Sequence, residues 1–467
     1  MNFSAENIQL WRFIIEMGKI CGILLIANIL RSKIPLVKKA LLPTSVLAGF
    51  ILLLLRITNI MPANIEFLEM ITYHGIAFGF IALSLRTNQK NKTSEISKFI
   101  PAKNGALIVS TYLLQAVVGL IISLGLAYTF MPELFKAAGV LLPMGFGQGP
   151  GQANNIGSTY QRLGFAGGHS YGLAIAAAGF LCACLVGIFY LNVLVRKKKI
   201  KRANAEVISG SITVDIFQDK NEIPISESID RLSVQIAIVV VIYAVTFALM
   251  YFVTGTASTY APNIAKLLNN LIWGFNFIIG IGVAMIFKLV LTHLRKTKIM
   301  RRQYCNNYLL NRISGFAFDI MITAGIASIN INEIKGVWVP FLITIVFGAI
   351  VTFLYLKWIT KKLYPSYSEE AFVSMFGMLT GTISSGILLL RELDPLYKTP
   401  AANNLITGSG MAIILAIPIL VLIVLAPTSP LMSFIVLVLA LVYFLILLFF
   451  MLRVGIKNKA GKTLQSE

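Results

Sequence analysis

Glycines, amides and hydroxyls concentrate in two short segments, Pro143 to Phe165 (PMGFGQGPGQANNIGSTYQRLGF) and Val373 to Pro395 (VSMFGMLTGTISSGILLLRELDP). In the first, Gly147, Gly149 and Gly151 carry no side chains, so backbone N–H groups can turn toward a ligand. Gln148, Gln152, Asn154 and Asn155 add directed hydrogen bonds. A half-helix beginning near Asn155 aims the positive end of its dipole at the same spot. Such a set suits an anion such as a carboxylate, with no Lys or Arg buried at large cost. Thr382, Ser384 and Ser385 of the second segment extend this set, and their oxygens also suit Na⁺. Thr380, with Asn403 and Asn404 shortly after it, completes an oxygen-rich group for that hard cation.

The same residues also have structural readings. Gly147-x-x-x-Gly151 and Gly377-x-x-x-Gly381 are small-xxx-small packing patterns. Ser384 and Ser385 can bond their own helix backbone, and Asn154 and Asn155 can cap a half-helix. What favours a site is repetition. At an offset of 230 positions, Phe146, Gly147 and Gly151 fall on Phe376, Gly377 and Gly381. Two backbone breaks at corresponding places in two halves are the sequence sign of a secondary transporter's binding site.

These segments interrupt a chain built for lipid. Hydrophobic residues make up 57% of 467, mean hydropathy is +0.81 and only 13% of residues are charged, against about a quarter in soluble domains. Apolar runs long enough to span the bilayer predict helices near 11–30, 37–56, 68–85, 104–130 and 168–195. A second set lies near 233–253, 264–288, 309–329, 336–357 and 401–426, and an eleventh, 431–452, follows the turn Pro427 to Pro430. Each glycine segment falls between the fourth and fifth helix of its set, with arms too short to span. Both are therefore expected to be re-entrant hairpins, entering and leaving on one side.

The fold class expected is an all-α polytopic membrane protein with two inverted repeats of five helices, each with a re-entrant hairpin, plus one extra C-terminal helix. Residues 1–202 form the first repeat (hairpin about 137–165) and 233–426 the second (hairpin about 370–393). Residues 203–232 read as a cytoplasmic linker, and 427–467 as an additional helix with a basic tail. Helix three departs from the common offset by about a dozen residues.

Charge orients the layout. Of 40 lysines and arginines, 33 fall in 31–39, 86–103, 196–232, 288–312, 357–368, 391–398 and 453–467. Those segments share one side if the N-terminus is outside and the C-terminus cytoplasmic. The net charge of +21 then reports orientation and contact with anionic lipid, not nucleic acid. The N-terminal stretch lacks a basic n-region, so no cleavable signal is read there.

Asp319, midway along helix eight, is the clearest membrane-embedded carboxylate. It is read either as a cation ligand or proton-coupling site, or structurally as half of an ion pair with a cation such as Lys19 or as an interfacial hydrogen bond. Glu16, with Arg12 and Lys19 at helical spacing, reads as a structural group. His74 and His169 begin helices three and five and read as interfacial or, alternatively, as polar lining residues; Arg162 and Arg391 close the hairpins and read as anchors or, alternatively, as a gate for a carboxylate. Three scattered histidines and four cysteines (Cys21, Cys182, Cys184, Cys305) lack metal-ligand spacing, so no metal beyond Na⁺ and no cofactor is expected.

The run Gly147-Gln-Gly-Pro-Gly-Gln-Ala153, closing with Arg162-Leu-Gly-Phe165, resembles the first hairpin of the bacterial sodium/glutamate symporters. In that family the loop reads Gly-His-Gly-Thr-Gly-Ala-Ala and is followed by Arg-Tyr-Gly-Phe. The alanine-rich stretch Ser170 to Gly187 is similar too. The likeness spans roughly residues 10–426 and is sharp around the first hairpin. Gln148 stands where the family has His, and Pro150 where it has Thr. In the second hairpin, Gly381-Thr-Ile-Ser-Ser-Gly386 stands where the family has Gly-Ala-Thr-Pro-Thr-Ala.

The resemblance implies a dimeric, sodium-coupled carrier of the bacterial cytoplasmic membrane, with a dimerisation part and a moving transport part holding both hairpins. The expected function is symport of glutamate or a related small organic anion with Na⁺. A citrate- or malate-type carrier and an H⁺-coupled amino acid carrier are the alternatives within transport. A membrane transferase would need paired His/Asp motifs at one face, which do not appear, so no enzyme activity is expected. A channel would also fit a Gly-rich re-entrant loop; concentrative uptake separates it from a carrier.

Overall fold

A computed structural model of the chain describes residues 7–35, 42–86, 100–196, 228–260, 269, 272–274, 276–297, 299, 304–394 and 399–453. Among the described residues the regular elements are all helical. Nine helices among them are long and apolar enough to cross a membrane, or ten if one bent pair is a single span. Together with the composition, these are the marks of a multi-pass membrane protein.

Two units share the helices. The first takes Met1–Ile29, Thr44–Lys92 and Ser209–Ser328. It holds most of α1 (Ile8–Lys33), then α2 (Thr44–Ile57), α3 (Ile65–Leu85), α8 (Ser228–Tyr260), α9 (Asn276–Lys296) and α10 (Asn307–Ala327). The second takes Leu30–Pro43, Thr93–Ile208 and Ile329–Glu467. Its helices are α4 (Ile100–Thr129), α5 (Leu141–Phe146), α6 (Pro150–Arg162), α7 (Gly168–Arg196), α11 (Ile331–Ile334) and α12 (Trp338–Leu363). Five more complete it: α13 (Ser368–Thr380), α14 (Ile383–Leu393), α15 (Ala401–Leu415), α16 (Ile417–Leu425) and α17 (Pro430–Arg453). A 3₁₀ turn, Lys136–Val140, leads into α5.

In the first unit Ile20, Ile23 and Ala27 pack with Ala48, Leu52, Leu68, Ile320, Ala324 and Ala327. Asn64 and Asn306 open α3 and α10 in the same way. Their Oδ1 atoms accept from the N–H groups of Phe67 (2.8 Å) and Leu309 (3.0 Å), each satisfying one orphan donor of the first turn. At the other end of α10, Arg56 Nε donates to Ala327 O at 2.9 Å, a cation on a helix C-terminus. Glu16 pairs with Lys19 at 2.7 Å and accepts from Asn64 N, the Lys19 part of the structural group read from sequence.

In the second unit α4 is apolar on all sides and correspondingly enclosed. Both chain segments around the glycines double back. Phe135, before the 3₁₀ turn, lies 5.4 Å from the Tyr160 ring and 5.1 Å from Phe165, closing the base of the first hairpin. In the second, α13 and α14 pack side by side, and a Cβ on Gly377 would stand 2.9 Å from Gly386 Cα. α17 belongs to this unit: Tyr443 donates to Leu415 O and Ser433 to Ala426 O, both at 2.7 Å.

Several boundaries differ from expectation. The tenth span breaks at Ala416 with a bend of 53°. Pro418 explains it, since its ring removes the N–H that would bond Ile414 O and crowds that carbonyl. The half-helix of the first hairpin starts at Pro150, not near Asn155, because proline favours the first helical position. Asn154 and Asn155 therefore lie inside α6 and cap nothing. Helix two is described from Thr44; its expected start lies outside the described residues, as do 203–227 of the expected linker and the basic tail from 454. Residues 228–232 open α8.

Candidate functional site

The two hairpin tips meet. Gly149 is the N-cap of α6 and Thr382 that of α14. A Cβ built on Gly149 would stand 3.5 Å from Thr382 Cγ2 and 3.7 Å from Gly381 O. Gly149 adopts φ 84° and ψ −174°, a region essentially closed to L side chains, so the tight turn at this tip requires glycine. Neither cap has a side-chain hydrogen bond. The first N–H groups of both half-helices thus stay without intrahelical acceptors, and their positive ends point toward one place.

α7 runs past both tips. A Cβ on Gly179 would collide with Thr380 O and stand 3.0 Å from Phe146 Cδ1, so only glycine lets the two hairpins press on this helix together. Phe180 closes over Gly381, its Cδ1 3.2 Å from a Cβ built there.

Around this junction five buried polar atoms have no hydrogen-bond partner: Gln115 Oε1, Gln152 Oε1, Asn155 Nδ2, Thr382 Oγ1 and Ser385 Oγ. Gln115, Gln152, Asn155 and Ser385 are each 2–3% exposed. A buried polar atom left unpaired costs about 1–3 kcal/mol, so such a cluster marks a place built for a polar occupant. Four of the five belong to residues expected from sequence.

The fifth, Gln115, is not among the residues that sequence reading singles out. It lies within α4, and its Nε2 donates to Leu379 O at 2.9 Å and Thr352 Oγ1 at 3.0 Å. It thereby joins α4, α12 and the last turn of α13, leaving Oε1 for a ligand. A single glutamine in the middle of an apolar run is the available signal. His169 departs from its interfacial reading. It is 4% exposed, and its Nε2 lies 2.7 Å from Asn154 Oδ1.

The other expected residues take varied places. Gln148 is half-buried at the tip, and Gly151 and Gln152 lie in the first turn of α6. Gly147 has helical φ, and the space of its missing Cβ is taken by the Tyr112 ring, which fits the packing reading. Thr380 Oγ1 donates to Phe376 O at 2.7 Å, a bond within its own helix. Ser384 opens α14 beside Ser385. Asn404 donates to Tyr367 OH at 2.9 Å and Asn403 is exposed. Tyr367 precedes α13, so both asparagines sit at the base of the second hairpin, about 20 Å of helix from its tip. Asp319 belongs to the first unit, on an exposed side of α10.

Comparison with family models, curated proteins and solved structures finds no match. The chemistry of the site therefore has to be read from its own atoms. Its described tips carry amides, hydroxyls, carbonyls and two helix N-termini, with no full charge. That combination can hold an anion by N–H groups and, on the oxygen side, a hard cation or an ammonium. Among the described residues no cluster of His, Cys, Asp and Glu is arranged to bind a metal ion.

Proposed function

We propose that this protein is a sodium-coupled secondary active transporter that moves glutamate or a related small organic anion by alternating access. The observation carrying this reading is the meeting of Gly149 with Thr382 and Gly381 amid five unpartnered buried polar atoms. Helical ends and broken backbone are expensive in lipid, and survive where they line a solute site.

In this reading the hairpins are re-entrant and the two halves are inverted repeats. Three features support it. α3 and α10 are both 21 residues long, with asparagine caps at 64 and 306, an offset larger by a dozen than that of the glycines. α2 packs on α10 as α9 packs on α3, and α4 packs on α15 as α7 packs on α12, the reciprocal contacts that two-fold related repeats require. Each unit also draws helices from both halves of the chain. The unit with both hairpins is then the transport part, and the likeness of its first hairpin to the sodium/glutamate symporters points to an acidic amino acid. The bacterial cytoplasmic membrane, an outside N-terminus, a cytoplasmic C-terminus and a homodimer belong to the same proposal.

Uptake by proteoliposomes of labelled glutamate, aspartate, citrate and malate, with and without an inward sodium gradient, tests it. The expected result is concentrative uptake of at least one of them that collapses when the gradient is dissipated. Uptake that never exceeds equilibrium, or none of the four, overturns it.

A further inference from the structure

Of the five unpartnered atoms at the tips, one is a nitrogen, Asn155 Nδ2. A chain of bonds decides that this amide shows its nitrogen and not its oxygen. His169 Nε2 lies 2.7 Å from Asn154 Oδ1. A carbonyl oxygen only accepts, so Nε2 carries the proton. With its oxygen engaged, Asn154 donates through Nδ2 to Asn155 Oδ1 at 3.3 Å. Asn155 has then used its acceptor, and what remains is a donor.

The opposite tautomer would invert the series. A bare Nε2 would draw Asn154 Nδ2 toward itself, Asn154 Oδ1 would face Asn155 Nδ2, and Asn155 would present Oδ1. An anionic solute would then meet a carbonyl instead of an N–H. The backbone that carries the ring is pinned on both sides. His169 N–H donates to Gln161 Oε1 at 3.1 Å. Next in sequence, Ser170 Oγ donates to Glu333 Oε2 at 2.7 Å and accepts from Asn330 N at 3.1 Å.

We propose that His169 is a positioning residue which, through Asn154, sets the amide polarity of Asn155 so that the site offers a hydrogen-bond donor to an anion. This rests on the reading of the tips as a solute site. Sequence alone gives no hint of it, since His169 and Asn155 stand 14 positions apart on different helices.

The experiment combines transport with spectroscopy, using labelled L-glutamate and the reconstituted full chain. In His169→Leu the KM is expected to rise about tenfold with kcat nearly unchanged. His169→Gln, which keeps an N–H at similar reach, is expected to restore most of the affinity. Adding His169→Leu to Asn155→Leu is expected to cost nothing further, because the histidine acts through that asparagine. An equal loss in both backgrounds, or failure of glutamine to rescue, overturns the proposal.

With ¹⁵N-histidine, three side chains contribute, and His169 is assigned by its loss in His169→Gln. A proton on Nε2 is expected; a bare Nε2 overturns the proposal. Wild-type protein that takes up no solute counts against the transport reading, while the nitrogen spectrum still decides the tautomer.

Discussion

Gly149 and Thr382 stand cap to cap, each opening a half-helix, with 3.5 Å between Thr382 Cγ2 and the place a Cβ on Gly149 would occupy. The penalty of replacing Gly149 lies in its backbone. Its φ of 84° and ψ of −174° cost an L residue about 1–3 kcal/mol, while the added methyl would only reach ordinary contact distance of the opposite tip. Gly149→Ala is expected to lower thermal stability by about that amount and to cut uptake sharply. Unfolding in detergent and proteoliposome uptake check the two effects separately.

Gln152 sits in the first turn of α6 with Oε1 buried and unpaired. Gln152→Ala removes an atom that has no partner in the protein, so the fold is expected to lose little while uptake falls sharply. Gly151→Leu, in the same turn, is likewise expected to cut uptake sharply. Surface expression measured beside transport separates site loss from failed insertion; unchanged transport in both variants removes the first hairpin from the site.

Much of this arrangement is legible in residue types. Glycines that cannot stay helical mark both tips, and Gln152, Asn155, Thr382 and Ser385 are polar where lipid-facing helices are not. Other parts depend on contacts that no local pattern carries. Gln115 stands out by type in an apolar run, but what it joins emerges only once α12 and α13 are packed on it. His169 follows Gly167 and Gly168, a pattern equally suited to a helix end at an interface, and only α6 beside it buries it against Asn154. The start of α6 is available at Pro150 from the preference of proline for a first helical turn, but the asparagine pair five residues later is an equally good cap by type. The bend at Ala416 is likewise available from Pro418, yet the uninterrupted hydrophobicity of 401–426 outweighs one proline when spans are judged by length.

Gln115 bridges α4, α12 and the α13 tip by donating to Thr352 Oγ1 and Leu379 O. Gln115→Leu keeps the volume but leaves Leu379 O and Thr352 Oγ1 without that donor, a cost of about 1–3 kcal/mol. Uptake is expected to fall by about tenfold or more, as the second tip loses its support. Gln115→Glu cannot donate to Leu379 O when ionised and is expected to do worse. A Gln115→Leu protein with normal kinetics and a lowered melting temperature would assign Gln115 to packing alone.

At the base of the second hairpin Lys357 pairs with Glu369 at 2.6 Å, and Tyr190 donates to the same carboxylate oxygen at 2.6 Å. The pair joins α12 to α13 and, through Tyr190, to α7. The two side chains are 33% and 25% exposed, between a surface pair and a buried one. Lys357→Met is expected to cost about 1–3 kcal/mol by leaving a carboxylate without its cation. The double change Lys357→Met with Glu369→Leu is expected to recover part of that loss. Thermal unfolding of the single and double variants measures the recovery; none at all would mean that packing of the lysine stem, and not its charge, holds the base.

Under the proposed sodium coupling, Asp319 tests where a cation would be held. As the clearest intramembrane carboxylate it is the natural sequence candidate for a sodium ligand. Yet the unpartnered oxygens Gln115 Oε1, Gln152 Oε1, Thr382 Oγ1 and Ser385 Oγ are buried, while Asp319 lies on an exposed side of α10. Its backbone oxygen accepts from Thr323 Oγ1 at 2.9 Å, and Thr323 also reaches Ser45 O at 3.1 Å, a set of bonds suited to joining α10 and α2. Asp319→Asn preserves helix, size and hydrogen-bonding shape and removes only charge. The sodium concentration for half-maximal uptake is therefore expected to stay within about twofold of wild type, where losing a charged ligand to the ion would shift it by about tenfold or more. A sodium titration of uptake under constant membrane potential decides the matter, and a large rightward shift would bring Asp319 into the cation site.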